Sequence, residues 1–204
     1  IVRDVFREAA LAGGNSLASQ FAAIVAGKSG DAKPRTAAET LPVIAAIEVL
    51  LAAGDFKVAD VLFTQRLQNG KVLEIIPAPE LTLRCTRAFI EPTSRQKDLL
   101  SALGPINLAF YLASVGANEF LLGETAGAEK MLREAIQLDR SGNRPDGVSN
   151  RLQQLSEQLH ALGRLRESAQ SASEAVTMAH QKEMVTITLG GPVLLIADHA
   201  ARRK

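Results

Sequence analysis

The stretch LASVGANEFLLGETAGAEKMLREAI, residues 112–136, returns in altered form as LQQLSEQLHALGRLRESAQSASEAV, residues 152–176. Leu112, Gly116, Leu122-Gly123, Ala128, Leu132 and Ala135-Ile136 meet Leu152, Ser156, Leu162-Gly163, Ser168, Ala172 and Ala175-Val176 at one constant offset. Each copy reads as an apolar helix ending in Leu-Gly, followed by a second helix with small residues where two backbones must approach. Self-similarity at a period of about 40 residues marks stacked helical hairpins, because one hairpin alone cannot bury its apolar face. Arrays of this kind are extended binding surfaces more often than catalysts.

Working outward, the apolar spacing predicts further helices. One follows Pro42 with Val43, Ile44, Ile47, Leu50 and Leu51 on one face, stops at Gly54-Asp55, and is answered by a partner helix from Phe56 to Gln68. Lys71 to Pro79 reads as an irregular connection and Glu80 to Glu91 as a helix ended by Pro92, since proline disfavours helical geometry in the preceding residue. Ser94 is the expected cap of a short helix to Leu103, and Gly104-Pro105 restarts the chain into Ile106 to Leu122. A helix over Thr125 to Asp139 should bury Ala128, Met131, Leu132, Ala135, Ile136 and Leu138. SGNRPDG, residues 141–147, reads as a turn, its residues favouring reversals. Ser149 is then expected to cap a helix to Leu162, with Leu165 to Lys182 following. Towards the ends, helices are expected over Ile1 to Ala12, Ser16 to Ala26 and Pro192 to Arg202, with a loop at Gly27 to Thr36.

Composition agrees with an all-α chain. Of the 204 residues 47% are apolar but only 4% aromatic, with no Trp; a core of Ala and Leu suits closely packed helices. Charge is balanced at 23 basic and 22 acidic residues, without the basic surplus of a nucleic-acid binder. Cys85 is the only cysteine, so no internal disulfide or cysteine-based zinc site is available, which fits a reducing, cytoplasmic setting. No apolar run reaches the length of a membrane span. The opening on Ile1, with no charged leader before an apolar stretch, gives the expectation of a segment of something larger with no visible signal peptide.

The residues quoted above resemble the tetratricopeptide repeat family. Leu152, Leu155-Ser156, Leu159, Gly163-Arg164-Leu165, Ser168, Ala172 and Ala175-Val176 follow its pattern, as do Leu112, Val115-Gly116, Gly123, Ala128, Leu132 and Ala135-Ile136. A third match is Val43, Ala46, Leu50, Gly54-Asp55-Phe56, Ala59, Phe63 and Leu67, and a fourth begins at Gly13 with Ala18 and Ala22. The period is longer than the family's usual one and resembles its long-helix variants. Between Gly54 and Gly123 the unit expected at that spacing lacks its glycine turn. The resemblance implies a right-handed solenoid of antiparallel helical hairpins over residues 1–204, best matched at 43–68, 108–139 and 149–180, with an irregular segment at 70–104. It also implies a non-catalytic module, the sensor or scaffold segment of a larger signalling protein, binding a peptide or helix of a protein partner along a concave groove. The alternative is a regulatory domain that takes a small ligand between hairpins.

By the same resemblance the first helix of each hairpin lines the concave face. Asn150, Gln153, Glu157 and His160, at spacings of three, four and three, form a polar stripe that would hydrogen-bond a partner; the plainer reading is the solvated face of any amphipathic helix. Phe110 and Phe120 lie on the matching face one hairpin earlier with Ala113 and Ala117, as anchors for a partner or as core. Gly27-Lys28-Ser29 resembles the end of a phosphate loop, but position 22 is Ala where the pattern needs Gly. His160, His180 and His199 have no second ligand at helical spacing, so no metal or other cofactor is expected. No nucleophile elbow or triad order is readable. Arg84 and Arg87 share a helix face that could meet an acidic partner, the plainer reading being surface ion pairs; Glu129 with Arg133 and Lys130 with Glu134 stand at a helical spacing that favours such pairs. Cys85, among apolar neighbours, reads as an inert core thiol.

Overall fold

The computed structural model describes residues 34–75 and 78–180. The expectations at Ile1 to Ala12, Ser16 to Ala26, Gly13, Gly27-Lys28-Ser29, Pro192 to Arg202 and His199 lie outside the described residues. Every regular element among the described residues is helical, and they divide into two units between Gly104 and Pro105.

In the first unit, α1 spans Ala37–Ala52 and starts earlier than the sequence suggests. Thr36 is the true cap, its hydroxyl accepting from Glu39 N–H at 3.2 Å, while the Glu39 carboxylate accepts from Arg35 N–H at 2.8 Å. The first bond satisfies a donor that the first turn leaves open, and the second ties the residue before the cap to the same turn. Pro42 lies inside the helix. α2, Phe56–Arg66, is capped by Asp55, which accepts from Val58 N–H at 3.3 Å. The expected irregular connection after it is partly ordered: Gln68–Gly70 forms a 3₁₀ turn and Lys71–Ile75 a short helix, α3. Gln68, Asn69 and Gly70 turn the chain with three successive positive φ angles of 51°, 57° and 91°, a reversal with no Leu-Gly signature.

α4, Pro79–Ile90, packs on α1, and α5, Arg95–Leu103, packs on α2. The core of this unit gathers Ile44, Ile47, Leu50, Phe63, Leu67, Leu73, Phe89, Ile90 and Leu99, all fully buried. Phe63 and Phe89 meet edge to face with ring centroids 5.8 Å apart. Cys85 is buried and its thiol is pushed far above its ordinary range by loss of solvent, so thiolate chemistry is suppressed. Arg84 forms a two-pronged ion pair with Glu48 at 2.7 and 2.8 Å, and Arg87 pairs with Glu91. Ser94 stands before α5 without making the expected side-chain cap.

The second unit is regular to a degree the sequence only hints at. α6 is Pro105–Leu121, α7 Thr125–Ser141, α8 Pro145–Ala161 and α9 Leu165–His180, with lengths of 17, 17, 17 and 16 residues. Each of the three connections closes in the same way. Gly123, Asn143 and Gly163 adopt positive φ of 88°, 52° and 75°. Each donates its N–H to the carbonyl three residues back, and the next residue donates to the carbonyl five back: Glu124 to Glu119, Arg144 to Asp139, Arg164 to Leu159. This is the left-handed helix cap that satisfies two orphan carbonyls. Glycine carries no steric penalty at such a φ, and asparagine is among the few other residues that tolerate it. The reversals at 123, 143 and 163 are therefore evenly spaced, and the echo in the sequence spans two of these equal steps. Gly54, φ 80°, closes the α1–α2 hairpin by the same pair of bonds.

The turn expected at 141–147 contracts accordingly. α7 runs on to Ser141 and α8 begins at Pro145, whose fixed φ and missing N–H suit a first turn. Ser149 is not a cap. It is buried one turn inside α8, donating to the Ala175 carbonyl at 2.9 Å. The repeated small residues mark helix crossings. Ser156 and Ser168 donate to each other's carbonyls at 3.0 and 2.8 Å. At the equivalent crossing one hairpin earlier, Gly116 lies so close to α7 that a Cβ there would stand 2.8 Å from the Ala128 carbonyl oxygen. Ala128, Leu132, Ala135 and Ile136 of α7 are buried as expected, whereas Met131 and Leu138 are only half-buried. Leu152, Leu155 and Leu159 are also buried, but Leu162 is 41% exposed because it belongs to the reversal.

Candidate partner-binding surfaces

The four polar residues expected to meet a partner lie along α8. Asn150, Glu157 and His160 are exposed and Gln153 is half-buried. Gln153 Nε2 donates to Glu157 Oε1 at 3.2 Å, which leaves the stripe partly self-satisfied. Between these residues Gln158 turns inward, buried, with Nε2 at 3.5 Å from the Gly116 carbonyl of α6. Phe110 and Phe120 sit on α6, both half-buried, and Phe110 packs edge to face on Tyr111 at 5.3 Å. Ala113 of the same face is buried.

A concavity in this unit lies elsewhere, between α7 and α9 above α8, with a volume of about 380 Å³. Its floor is Leu152, Leu155 and Ile136. Around the α8 axis these leucines project almost opposite to the polar stripe, and none of Asn150, Gln153, Glu157 and His160 lines the groove. One wall carries Arg133, Glu134, Gln137 and Arg140 of α7 and the other Glu167, Gln170, Ser171 and Glu174 of α9. The spacings of Arg133, Gln137 and Arg140, and of Glu167, Gln170 and Glu174, keep each trio on a single helix face, with Glu134 and Ser171 beside them. Arg140 hydrogen-bonds Glu174 across one end, and Arg133 stands 3.9 Å from Glu167 at the other. Between these two ties Gln137 and Gln170 stand above the apolar floor.

Near the Arg133–Glu167 end, Arg164 bonds both Glu129 and Glu167 at 2.5 Å, and Arg133 pairs with Glu129 at 2.8 Å. Burial raises the Glu129 carboxyl, but hydrogen bonds from Arg164 and Arg133 outweigh it and hold the group below its ordinary value. The opposite balance holds at Asp139. Its carboxylate is buried beneath the 142–144 reversal, and loss of solvent raises it above the usual carboxylate range despite Arg151 and Arg144. Arg151 Nε is 3.8 Å from Asp139 Oδ2, too far for a hydrogen bond, and Oδ2 finds no other donor among the described residues. The carboxyl group lies against Gly147 of α8, where a Cβ would come within 2.5 Å of its carbon.

Apart from Arg133 and Glu134, paired with Glu129 and Lys130 at helical spacing, the groove walls are not among the residues that the sequence singles out, although one signal exists. Arg133, Gln137 and Arg140 recur at four and three, and Glu167, Gln170 and Glu174 at three and four, with opposite charge. Among the described residues no group of three or more His, Cys, Asp or Glu side chains gathers as a metal site, and no helix is long and apolar enough to cross a membrane. The chain matches no protein-family model, no curated protein and no solved structure.

Proposed function

We propose that residues 105–180 form a non-catalytic, tetratricopeptide-like module that holds a peptide segment of a partner protein, as the sensor or scaffold part of a larger signalling protein. On this reading the four helices are two successive hairpins of a right-handed solenoid. The observation that carries it is the groove between α7 and α9: an apolar floor of Ile136, Leu152 and Leu155 between an acidic α9 wall and an α7 wall on which Arg133 and Arg140 outnumber Glu134, with amides at mid-length. An apolar side chain of the partner would fill the floor, where its burial supplies affinity. Gln137 and Gln170 would meet the flanking peptide groups, and the basic and acidic walls would orient a segment carrying both charge signs. This moves the expected contact from the α8 stripe to the opposite face of the same helix.

The opposed walls also favour a second reading, a small zwitterionic ligand, for which a groove of this volume lies near the lower end of the usual range. Selection of random peptides on the full chain tests the first reading. Loss of capture in Gln137→Ala/Gln170→Ala with capture kept in Gln153→Ala/Glu157→Ala is the expected result. The reverse pattern returns the contact to the α8 stripe. No selectable peptide, together with saturable binding of a free amino acid, favours the small ligand.

A further inference from the structure

The reversal between α2 and α3 is carried by Gln68, Asn69 and Gly70. Asn69 is exposed, whereas Gly70 and the flanking Leu67, Val72 and Leu73 are buried. Gly70 N–H donates to the Leu67 carbonyl at 2.9 Å and Val72 N–H to the same oxygen at 3.3 Å. Gln68 and Asn69 hold side chains at left-handed φ, which costs any residue but glycine. A turn closed by two such bonds at that cost belongs to the parts of a fold that open before the whole. The pair Asn69-Gly70 is also chemically particular. The backbone nitrogen after an asparagine can close a five-membered ring on its Cγ, and a following glycine has no side chain to obstruct the attack. No other asparagine of the chain is followed by glycine. Asn143 offers an internal comparison: it too is exposed at left-handed φ, but Arg144 follows it. Asn107, Asn118 and Asn150 lie inside α6 and α8, where the rotation that ring closure needs would break the helix.

We propose that Asn69 is a site of covalent self-modification, a deamidation gated by opening of the 68–70 reversal. In the closed turn the ring cannot form. Asn69 has ψ 33°, which sets its Cβ and the Gly70 nitrogen on nearly opposite sides of the Cα–C bond, and the Gly70 N–H is engaged. Once the turn opens, hydroxide takes the Gly70 N–H proton and the nitrogen attacks Asn69 Cγ. The side-chain nitrogen leaves with a proton as ammonia. Water then opens the cyclic imide at one of its two carbonyl carbons. Breaking the new bond to Cγ gives an aspartate; breaking the bond to the backbone carbonyl carbon leaves the chain running through Cγ, one carbon longer. Nothing is oxidised or reduced: amide and water become acid and ammonia. In the longer linkage the Gly70 N–H no longer stands three residues of ordinary backbone from the Leu67 carbonyl. The turn then cannot close again, and Leu67, Val72 and Leu73 lose the geometry that buries them. Opening becomes one-way. The site is in the first unit and independent of the groove between α7 and α9.

Peptide mapping by mass spectrometry of the full chain, aged in mildly alkaline buffer with and without unfolding urea, provides the test. Asn69 should convert to the acid in both, about ten- to a thousandfold faster in urea, the range that opening of a local turn implies. The rate should rise with pH, because the attacking nitrogen must lose its proton. Asn143 should stay an amide over the same time in buffer. In the fraction carrying the longer linkage, the Gly70 and Val72 amides should exchange hydrogen without protection. Asn69→Gly, which suits the left-handed φ and has no amide to lose, should keep that protection after the same ageing. A folded chain that converts as fast as the unfolded one, or stays intact past that window, would overturn the proposal. So would Asn143 converting alongside Asn69, or a longer linkage that leaves Gly70 and Val72 protected.

Discussion

The two units are built from the same alphabet of Ala and Leu yet obey different rules. In residues 105–180 every helix has nearly the same length and every reversal the same two hydrogen bonds, at Gly123, Asn143 and Gly163. In residues 37–103 only the Gly54 turn follows that pattern; the chain then breaks into the 68–70 turn and the short α3 before two further helices of unequal length. The difference teaches that an equal step between reversals, and not composition, makes a helical chain repetitive. Equal helices with equal caps place Gly116 against Ala128 and Ser156 against Ser168 at equivalent crossings. The first unit fills its core with Phe63 and Phe89 and a mixed set of aliphatics, and no such register recurs.

The largest expected effect comes from the core shared by the regular helices. Leu132→Ala, at a fully buried site of α7, should cost about 3 kcal/mol in urea unfolding. A loss below about 1 kcal/mol would mean that α7 is not packed on both neighbours as the regular step requires. Next is the close approach at the second reversal. Gly147→Ala drives a methyl group into the Asp139 carboxyl. The change should cost about 2 kcal/mol, although alanine is intrinsically the better helix former. Asp139→Gly in the same chain should recover most of that loss, giving a coupling of about 1 kcal/mol or more in a double-mutant cycle. Strict additivity would separate the two residues.

The reversal itself makes a smaller but sign-specific prediction. Asn143 sits at φ 52°. Asn143→Gly should stabilise by about 0.5–1 kcal/mol because it removes the cost of a side chain at that angle. Were residue 143 inside a continuous helix, the same change would destabilise by a similar amount. Asp139 predicts a modest pH effect. Its carboxyl titrates above the ordinary value in the folded chain, so the folded state binds that proton more tightly than the unfolded one. Its burial therefore costs stability at neutral pH, and the cost is relieved as pH falls through the folded value towards about 4. Asp139→Asn should flatten the stability profile across that window when urea midpoints are compared; an unchanged slope would contradict it.

Much of the regular unit is legible in the sequence. The Leu-Gly pairs at 122–123 and 162–163 announce two reversals, and the apolar spacing of Leu132, Ala135, Ile136, Leu152, Leu155 and Leu159 matches their burial. The middle reversal is blurred because Gly142, Asn143, Pro145 and Gly147 all favour turns, and propensity alone does not say which takes the left-handed φ. Ser149 reads as a cap for the same local reason, whereas its partner, the Ala175 carbonyl, lies on the next helix. The groove walls stay hidden because a charged stripe on one helix looks solvated until its opposite on another helix is known. In the first unit the turn at Gln68 and Asn69 has no compositional signal strong enough to predict two non-glycine residues at positive φ.

Backbone NMR of the full chain tests most directly the claim that the second unit reverses at even steps. The account predicts helical chemical shifts from 105 to 180 interrupted only at 122–124, 142–144 and 162–164, with positive φ at Gly123, Asn143 and Gly163. Helical shifts running unbroken through Asn143, or an interruption at 147–149 in its place, would contradict it.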